Sequence, residues 1–172
     1  MPCVKWEPRL RRATTGDAAA IAAVHVETWR VAYAHVFPAE YLEGLSFAER
    51  QELWTRTLSG ETFDVFVAEL GGRIAGFVSS GPAEDESAPG ELFALYVLPE
   101  DWGKGAGRVL LERAETALRD AGLEAAVLWV LEDNPRARRL YEAAGWGPDG
   151  GRKRLGERGT DALAVRYRKC LR

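Results

Sequence analysis

Cysteine is nearly missing from this sequence: Cys3 and Cys170 are the only two among 172 residues. A lone pair at opposite ends does not make a disulfide scaffold. With only two histidines, no Cys/His group has metal-ligand spacing, so neither structural zinc nor another metal is expected. Long apolar runs are missing too. Nothing approaches the roughly 20 consecutive apolar residues of a membrane helix, and the amino-terminal MPCVKWEPRLRR has no apolar segment of signal-peptide length. The expectation is a cytoplasmic protein with no membrane partner. Excess positive charge is also absent. A net charge of -3 argues against nucleic acid as the main partner. The Arg-rich stretch from Arg152 to Arg172 could form a local basic patch, but a solvated sheet edge is the plainer account. Internal repeats and low-complexity tracts are lacking.

What is present is an ordinary globular composition, 47% hydrophobic and 28% charged. At this length the chain reads as a single domain, 1–172, with one core. A short strand at 9–14 precedes Thr15-Gly16-Asp17, a helix-start signal with Asp17 as N-cap. Residues 18–36 are helical, with Ile21, Val24, Thr28 and Val31 on one face and Ala22, Val26, Trp29 and Tyr33 on the next, so cover on more than one side is expected. His25 has no polar partner in view and reads as a packed side chain. Pro38 breaks this helix. A helical turn and a second amphipathic helix follow, ending at Ser59-Gly60. Strands at 62–70 and 73–80 flank Gly71-Gly72, a two-residue hairpin signal. Glu84, Asp85 and Glu86 read as a solvated loop that could also attract a cationic amine.

Residues 91–98 are almost wholly apolar, as a central strand covered on both faces would be. A turn with Gly103, Gly105 and Gly107 then enters a helix carrying Leu110, Leu111, Ala114, Ala117, Leu118 and Ala121 at helical spacing, with Gly122 at its end. Residues 125–131 form a second apolar strand, so strand, crossover helix and strand imply a parallel pair. Asn134-Pro135 starts another helix, with Asn134 as cap and Gly145 closing it. Strands at 152–155 and 163–168 complete a mixed α/β (α+β) architecture, a sheet of about six to seven strands with helices on both faces.

A glycine turn entering a helix leaves backbone N–H groups without partners, at the positive end of the helix dipole, and such a place binds anions. A P-loop would need Ser or Thr after Lys104, and Gly105 stands there. A Rossmann fingerprint would need Gly where Arg108 stands. Both alternatives fail on the residues.

Trp102, Gly103, Lys104, Gly105, Ala106 and Gly107 instead resemble the Gln/Arg-x-x-Gly-x-Gly/Ala loop of the GNAT acyltransferase superfamily, whose members move an acyl group from acyl-CoA to an acceptor that is usually an amine. Trp102 departs from the pattern, which removes one polar side chain and leaves the backbone donors in place. Downstream, NPRARRLYEAAGW is similar to the family's Asn-x-x-Ala-x-x-x-Tyr-x-x-x-Gly-Phe/Trp run, with Asn134, Ala137, Tyr141, Gly145 and Trp146 at its positions. Two motifs in the right order are far more specific than one, and the likeness covers nearly the whole chain.

The resemblance implies the GNAT fold and a role for each part of it. The backbone of Leu95, Tyr96 and Val97 would meet the pantetheine arm and thioester of acetyl-CoA, with Leu95 N–H as oxyanion donor. Amides from Gly103 to Arg108 would hold the pyrophosphate, with Lys104 and Arg108 as charge partners. Glu91, placed by strand alternation on the face of Leu95 and Val97, would take the amine's proton, directly or through water. An apolar setting would raise its pKa for that work. The alternative is that Glu91 sits at the exposed start of its strand. Tyr141 would give a proton to the departing thiolate, although its spacing alone suits packing. Asn134 would hold the pantetheine arm, cap its helix, or both. Arg136, with Arg138 and Arg139, could reach the adenosine phosphates or simply be solvated. Trp29 and Tyr33 would pack or wall the acceptor pocket. The function so implied is acetyl-CoA-dependent N-acetylation by direct attack in a ternary complex. A non-catalytic CoA-binding or regulatory domain and a nucleotide-binding module are the rivals. A homodimer through the carboxy-terminal strands is a further expectation, and the acceptor amine is left open.

Overall fold

The computed structural model describes residues 7–84, 86–156 and 160–172. Cys3 and Asp85 fall outside them. Seven strands form one sheet: β1 (Arg9–Arg12), β2 (Asp64–Leu70), β3 (Arg73–Pro82), β4 (Gly90–Val97), β5 (Ala125–Leu131), β6 (Gly147–Arg154) and β7 (Leu163–Cys170). Five helices are set among them: α1 (Ala18–Ala32), α2 (Ala39–Glu43), α3 (Phe47–Ser59), α4 (Ala106–Asp120) and α5 (Pro135–Ala143). The strand order is β1-β2-β3-β4-β5-β7-β6. Only β4 and β5, joined by the α4 crossover, run parallel.

Alternation along β2 and β3 sorts side chains to the two faces. Phe66, Ala68 and Val78 pack with Leu110, Leu111, Ala114 and Leu118 of α4. Val67 and Phe77 pack with Ile21 and Val24 of α1 and Trp54 of α3. α4 lays its apolar stripe on one face of the sheet, and α1 and α3 lie on the other, α1 being covered on more than one side because Trp29 packs in a further cluster with Phe37 and Leu42. His25 is packed, as expected: its Nδ1 accepts from the Trp54 indole N–H at 3.2 Å and its ring stacks on Tyr96. Gly71 and Gly72 close the β2–β3 hairpin with φ of 60° and 81°, the left-handed region that a two-residue hairpin of this type requires.

Several expectations are corrected. Asp17 does not cap α1 with its side chain. Its carboxylate accepts two bonds from Arg11, at 2.7 and 2.9 Å, and one from the Thr14 N–H at 2.8 Å. The α1 helix ends at Ala32, four residues short of the expected Val36, in a turn closed by Phe37 N–H donating to the Tyr33 carbonyl at 3.0 Å. β6 starts at Gly147, because the irregularity between Pro148 and Arg152 lets the strand pair on both sides of the glycine turn. Asp149 fills that irregularity, accepting from Gly151 N–H and from the Arg166 and Arg168 side chains.

β4 is the central correction. Beyond Ala94 its residues are only half-buried. β4 pairs with β5 over Gly90–Ala126, Glu91–Val127 and Leu92–Leu128 alone. From there the two parallel strands part, and a cleft opens beside β4 where a strand covered on both faces was expected.

Candidate active site

The cleft has a volume of about 1260 Å³ and opens between β4 and β5. Its β4 edge is set by hydrogen-bond alternation. Leu98 N–H donates to the Ala75 carbonyl of β3 at 2.8 Å. In an antiparallel pair every second residue faces the partner, so Tyr96 and Ala94 also turn their main chain to β3, and Leu95 and Val97 turn theirs to the cleft. The Val97 carbonyl is already engaged, accepting from Trp102 Nε1 at 2.8 Å and from the Thr28 hydroxyl at 3.3 Å. The Leu95 N–H and C=O therefore face the space where β5 would otherwise lie.

The bulge in β4 changes which side chains share a face. Ser79 pairs with Ala94 and Ser80 with Leu92, leaving Phe93 as the extra residue. Strict alternation puts Glu91 with Leu95 and Val97; one added residue reverses this. Leu92, Leu95 and Val97 belong with α4, whereas Ala94 and Tyr96 belong with α1. Glu91 falls on the α1 side, that of Trp29 and Tyr33. It directly precedes Leu92 and Phe93, which line the cleft, and is not itself among the lining residues.

At one end of the cleft lies the glycine turn. Gly103 and Gly105 have φ of 78° and 88° with nothing within 4 Å of a Cβ placed on either, so the backbone is both left-handed and open. Gly105 is the N-cap of α4 and makes no side-chain bond, which leaves the first amides of the helix pointing outward. Gly107 serves another need: a Cβ there would lie 3.4 Å from Leu140 Cδ2, where α4 meets α5. This cradle suits a diphosphate. The Lys104 side chain does not join it. Asp101 is 2% exposed, and its carboxylate takes Lys104 Nζ at 2.8 Å and Arg73 Nη2 at 2.8 Å. Burial pushes that carboxyl up, but Lys104 and Arg73 outweigh it and hold the group below its ordinary range. Lys104 is thus turned to the far side of the loop, a correction to its expected role. Arg108 lines the cleft while paired to Glu112 at 2.8 Å. Such an exposed i,i+4 pair is weak and yields readily to a better anion.

Opposite the glycine turn, Asn134 caps α5, its Oδ1 accepting from the Ala137 N–H at 3.2 Å. Asn134, Arg136, Ala137 and Tyr141 all line the cleft. Tyr141 is 6% exposed, and burial first, then the nearby Tyr96, push its phenol well above its ordinary pKa. Tyr33 is shifted the same way, by burial and then by Tyr96 and Tyr141, with Asn134 opposing the shift. Three tyrosines, one just past α1 and the others on β4 and α5, thus converge on one part of the cleft. Trp29 stacks on Phe37 at 5.5 Å and meets Tyr33 edge-on at 4.9 Å. These side chains pack together, and Trp29, Tyr33 and Phe37 all line the cleft, so the packed cluster forms one of its walls.

Sequence reasoning missed Thr28, Phe93 and the side chain of Tyr96. The only signal for Phe93 would have been the bulge itself. Among the described residues no group of three or more His, Cys, Asp or Glu could hold a metal ion, and no helix is long and apolar enough to cross a membrane.

A mixed sheet that parts beside a glycine turn, with a buried tyrosine across the gap, defines the class: a GNAT-type N-acetyltransferase. Residues 23–146 match the acetyltransferase (GNAT) family, and the chain belongs to it. It is 40% identical over 130 residues to YuaI, an uncharacterised N-acetyltransferase of Bacillus subtilis (strain 168), covering 73% of each chain. Its fold resembles the PaiA N-acetyltransferase from Thermoplasma acidophilum in complex with coenzyme A, at TM-score 0.75 and 22% identity, over 95% of this chain and 99% of that one. It also resembles yncA, a putative acetyltransferase from Salmonella typhimurium with acetyl-CoA, at TM-score 0.70 and 22% identity, over 96% and 95% of the two chains.

Proposed function

We propose that this protein transfers the acetyl group of acetyl-CoA directly to an amine held in the same cleft. The observation that carries this reading is the parting of β4 from β5 after Leu92–Leu128. It leaves the main chain of Leu95 free between the glycine turn and Tyr141. Leu95 N–H is the donor to the thioester oxygen, and its carbonyl accepts from the pantetheine arm, completing the interrupted sheet. Val97, its own carbonyl taken by Trp102 and Thr28, shapes the strand and does not bind through that atom. Amides from Gly103 to Arg108 hold the diphosphate, and Arg108 and Arg136 supply charge. Asn134 orients the pantetheine arm from its place at the cap of α5. Tyr141 protonates the departing thiolate. Glu91, on the α1 side beside the cleft, takes the amine's proton through water. Trp29 and Tyr33 form the acceptor wall. Cys170 is exposed at the carboxy-terminal end of β7, away from the cleft lining, which supports direct transfer without an acyl-enzyme.

A cytoplasmic setting without nucleic acid belongs to the same reading. The absence of a nucleic-acid partner is supported by the basic carboxy-terminal stretch, where Arg152, Arg166, Lys169 and Arg172 are paired with Glu132, Asp149, Glu115 and Glu124. A homodimer would use β6, the edge strand at the carboxy-terminal end of the sheet order. The deciding experiment is an amine screen with acetyl-CoA and a free-thiol readout. At least one amine should release CoA thiol, and Glu91→Gln should lower kcat/KM by about 10²-fold. CoA that binds while every amine fails would favour a non-catalytic CoA-binding domain.

A further inference from the structure

Trp102 is the position where this chain leaves the family's loop pattern, and its ring is engaged on two sides. The indole Nε1 donates to the Val97 carbonyl at 2.8 Å. The Arg136 guanidinium carbon lies 3.4 Å from the ring centroid, so the cation sits over the ring face. Trp102 precedes α4 and Arg136 is the second residue of α5, and both line the cleft. The contact therefore joins the two segments that flank the anion cradle. Stacking occupies the face of a guanidinium and leaves its in-plane N–H donors free. Lys104, within the loop itself, is turned away to Asp101.

We infer that Trp102 and Arg136 act as one unit, the indole as platform and the guanidinium as the cation that meets the diphosphate of CoA, restoring from α5 the polar group that Trp102 removes from the loop. The inference rests on the reading of the cleft as a CoA site. It makes Trp102 a positioning residue, and it names the diphosphate, not the 3′-phosphate, as the group that Arg136 reads.

Calorimetric titration of CoA and dephospho-CoA into wild type, Arg136→Ala, Trp102→Ala, Trp102→Phe and the double alanine variant tests it. Arg136→Ala should weaken CoA about tenfold, as loss of one charge-assisted contact does. Trp102→Ala should match it, and the double variant should be no worse than either alone. Dephospho-CoA should lose the same factor. Trp102→Phe, which keeps an aromatic platform and loses the indole bond, should stay within about threefold of wild type. Losses that multiply in the double variant would overturn the unit. So would a loss seen with CoA but not with dephospho-CoA, or a Trp102→Phe as weak as Trp102→Ala. A wild type that binds no CoA would sink the functional reading first, before any variant is compared.

Discussion

Tyr141 offers the most direct test of chemistry at the scale of one residue. Its phenol is held above the ordinary value of about 10. It therefore stays protonated through neutral and mildly alkaline solution, ready to donate. Tyr141→Phe should lower kcat by about 10²- to 10⁴-fold while CoA affinity changes less than about twofold. Wild-type kcat should not fall on the alkaline side below about pH 10. A phenylalanine variant that keeps wild-type kcat would remove Tyr141 from the acid's role, and an alkaline limb near pH 8 that disappears in that variant would show that its phenol is not held above the ordinary value. Asn134 and Tyr141 were legible because a motif fixes them by spacing. The Lys104 side chain was not: its direction depends on Asp101, a buried carboxylate that must be neutralised, and nothing local in the sequence says that Asp101 is buried. Glu91 was legible as a residue and misread as a direction, since its face depends on the bulge at Phe93.

At the scale of elements, the α4 entrance is where backbone conformation and binding meet. Gly105 has φ of 88°, so Gly105→Ala forces an alanine into the left-handed region, which costs about 1–2 kcal/mol. In a chain of this size that lowers Tm by roughly 2–8 °C. Gly107→Ala places its methyl 3.4 Å from the flexible end of Leu140, an ordinary contact, and Tm should move by less than about 2 °C. Equal losses for the two variants, followed by thermal unfolding, would show that strain at Gly105 is not what sets the turn. Helix and strand identities were mostly readable from periodicity, caps and glycines. The parting of β4 from β5 was not, because both strands are equally apolar and pairing depends on how the strands are laid down around α4.

For the whole molecule, the ion pairs at the β1 end tie stability to pH. Arg11 bonds both Asp17 and Glu69, joining β1 to β2 and to the turn before α1. The Arg11 guanidinium lowers the Asp17 carboxyl from 3.8 to about 2. A depressed carboxyl contributes stability above its unfolded pKa, and that contribution is lost as pH falls from about 4 toward 2. Partial exposure of Arg11 limits it to about 1–2 kcal/mol. Asp17→Asn should therefore destabilise the protein by that amount at pH 7 and converge with wild type near pH 2, as read by urea unfolding across pH. A constant difference at all pH values would assign the effect to packing. By itself the sequence determined the order of elements, the glycine turn that enters α4, the two family motifs and the residues on them, because these follow from local periodicity, φ preference and spacing. Only the tertiary structure decided where β4 leaves β5, which face Glu91 takes, that Lys104 turns to Asp101 and that Trp102 carries Arg136. Each of these depends on groups far apart in the chain competing for the same partner, and no local pattern records the outcome of that competition.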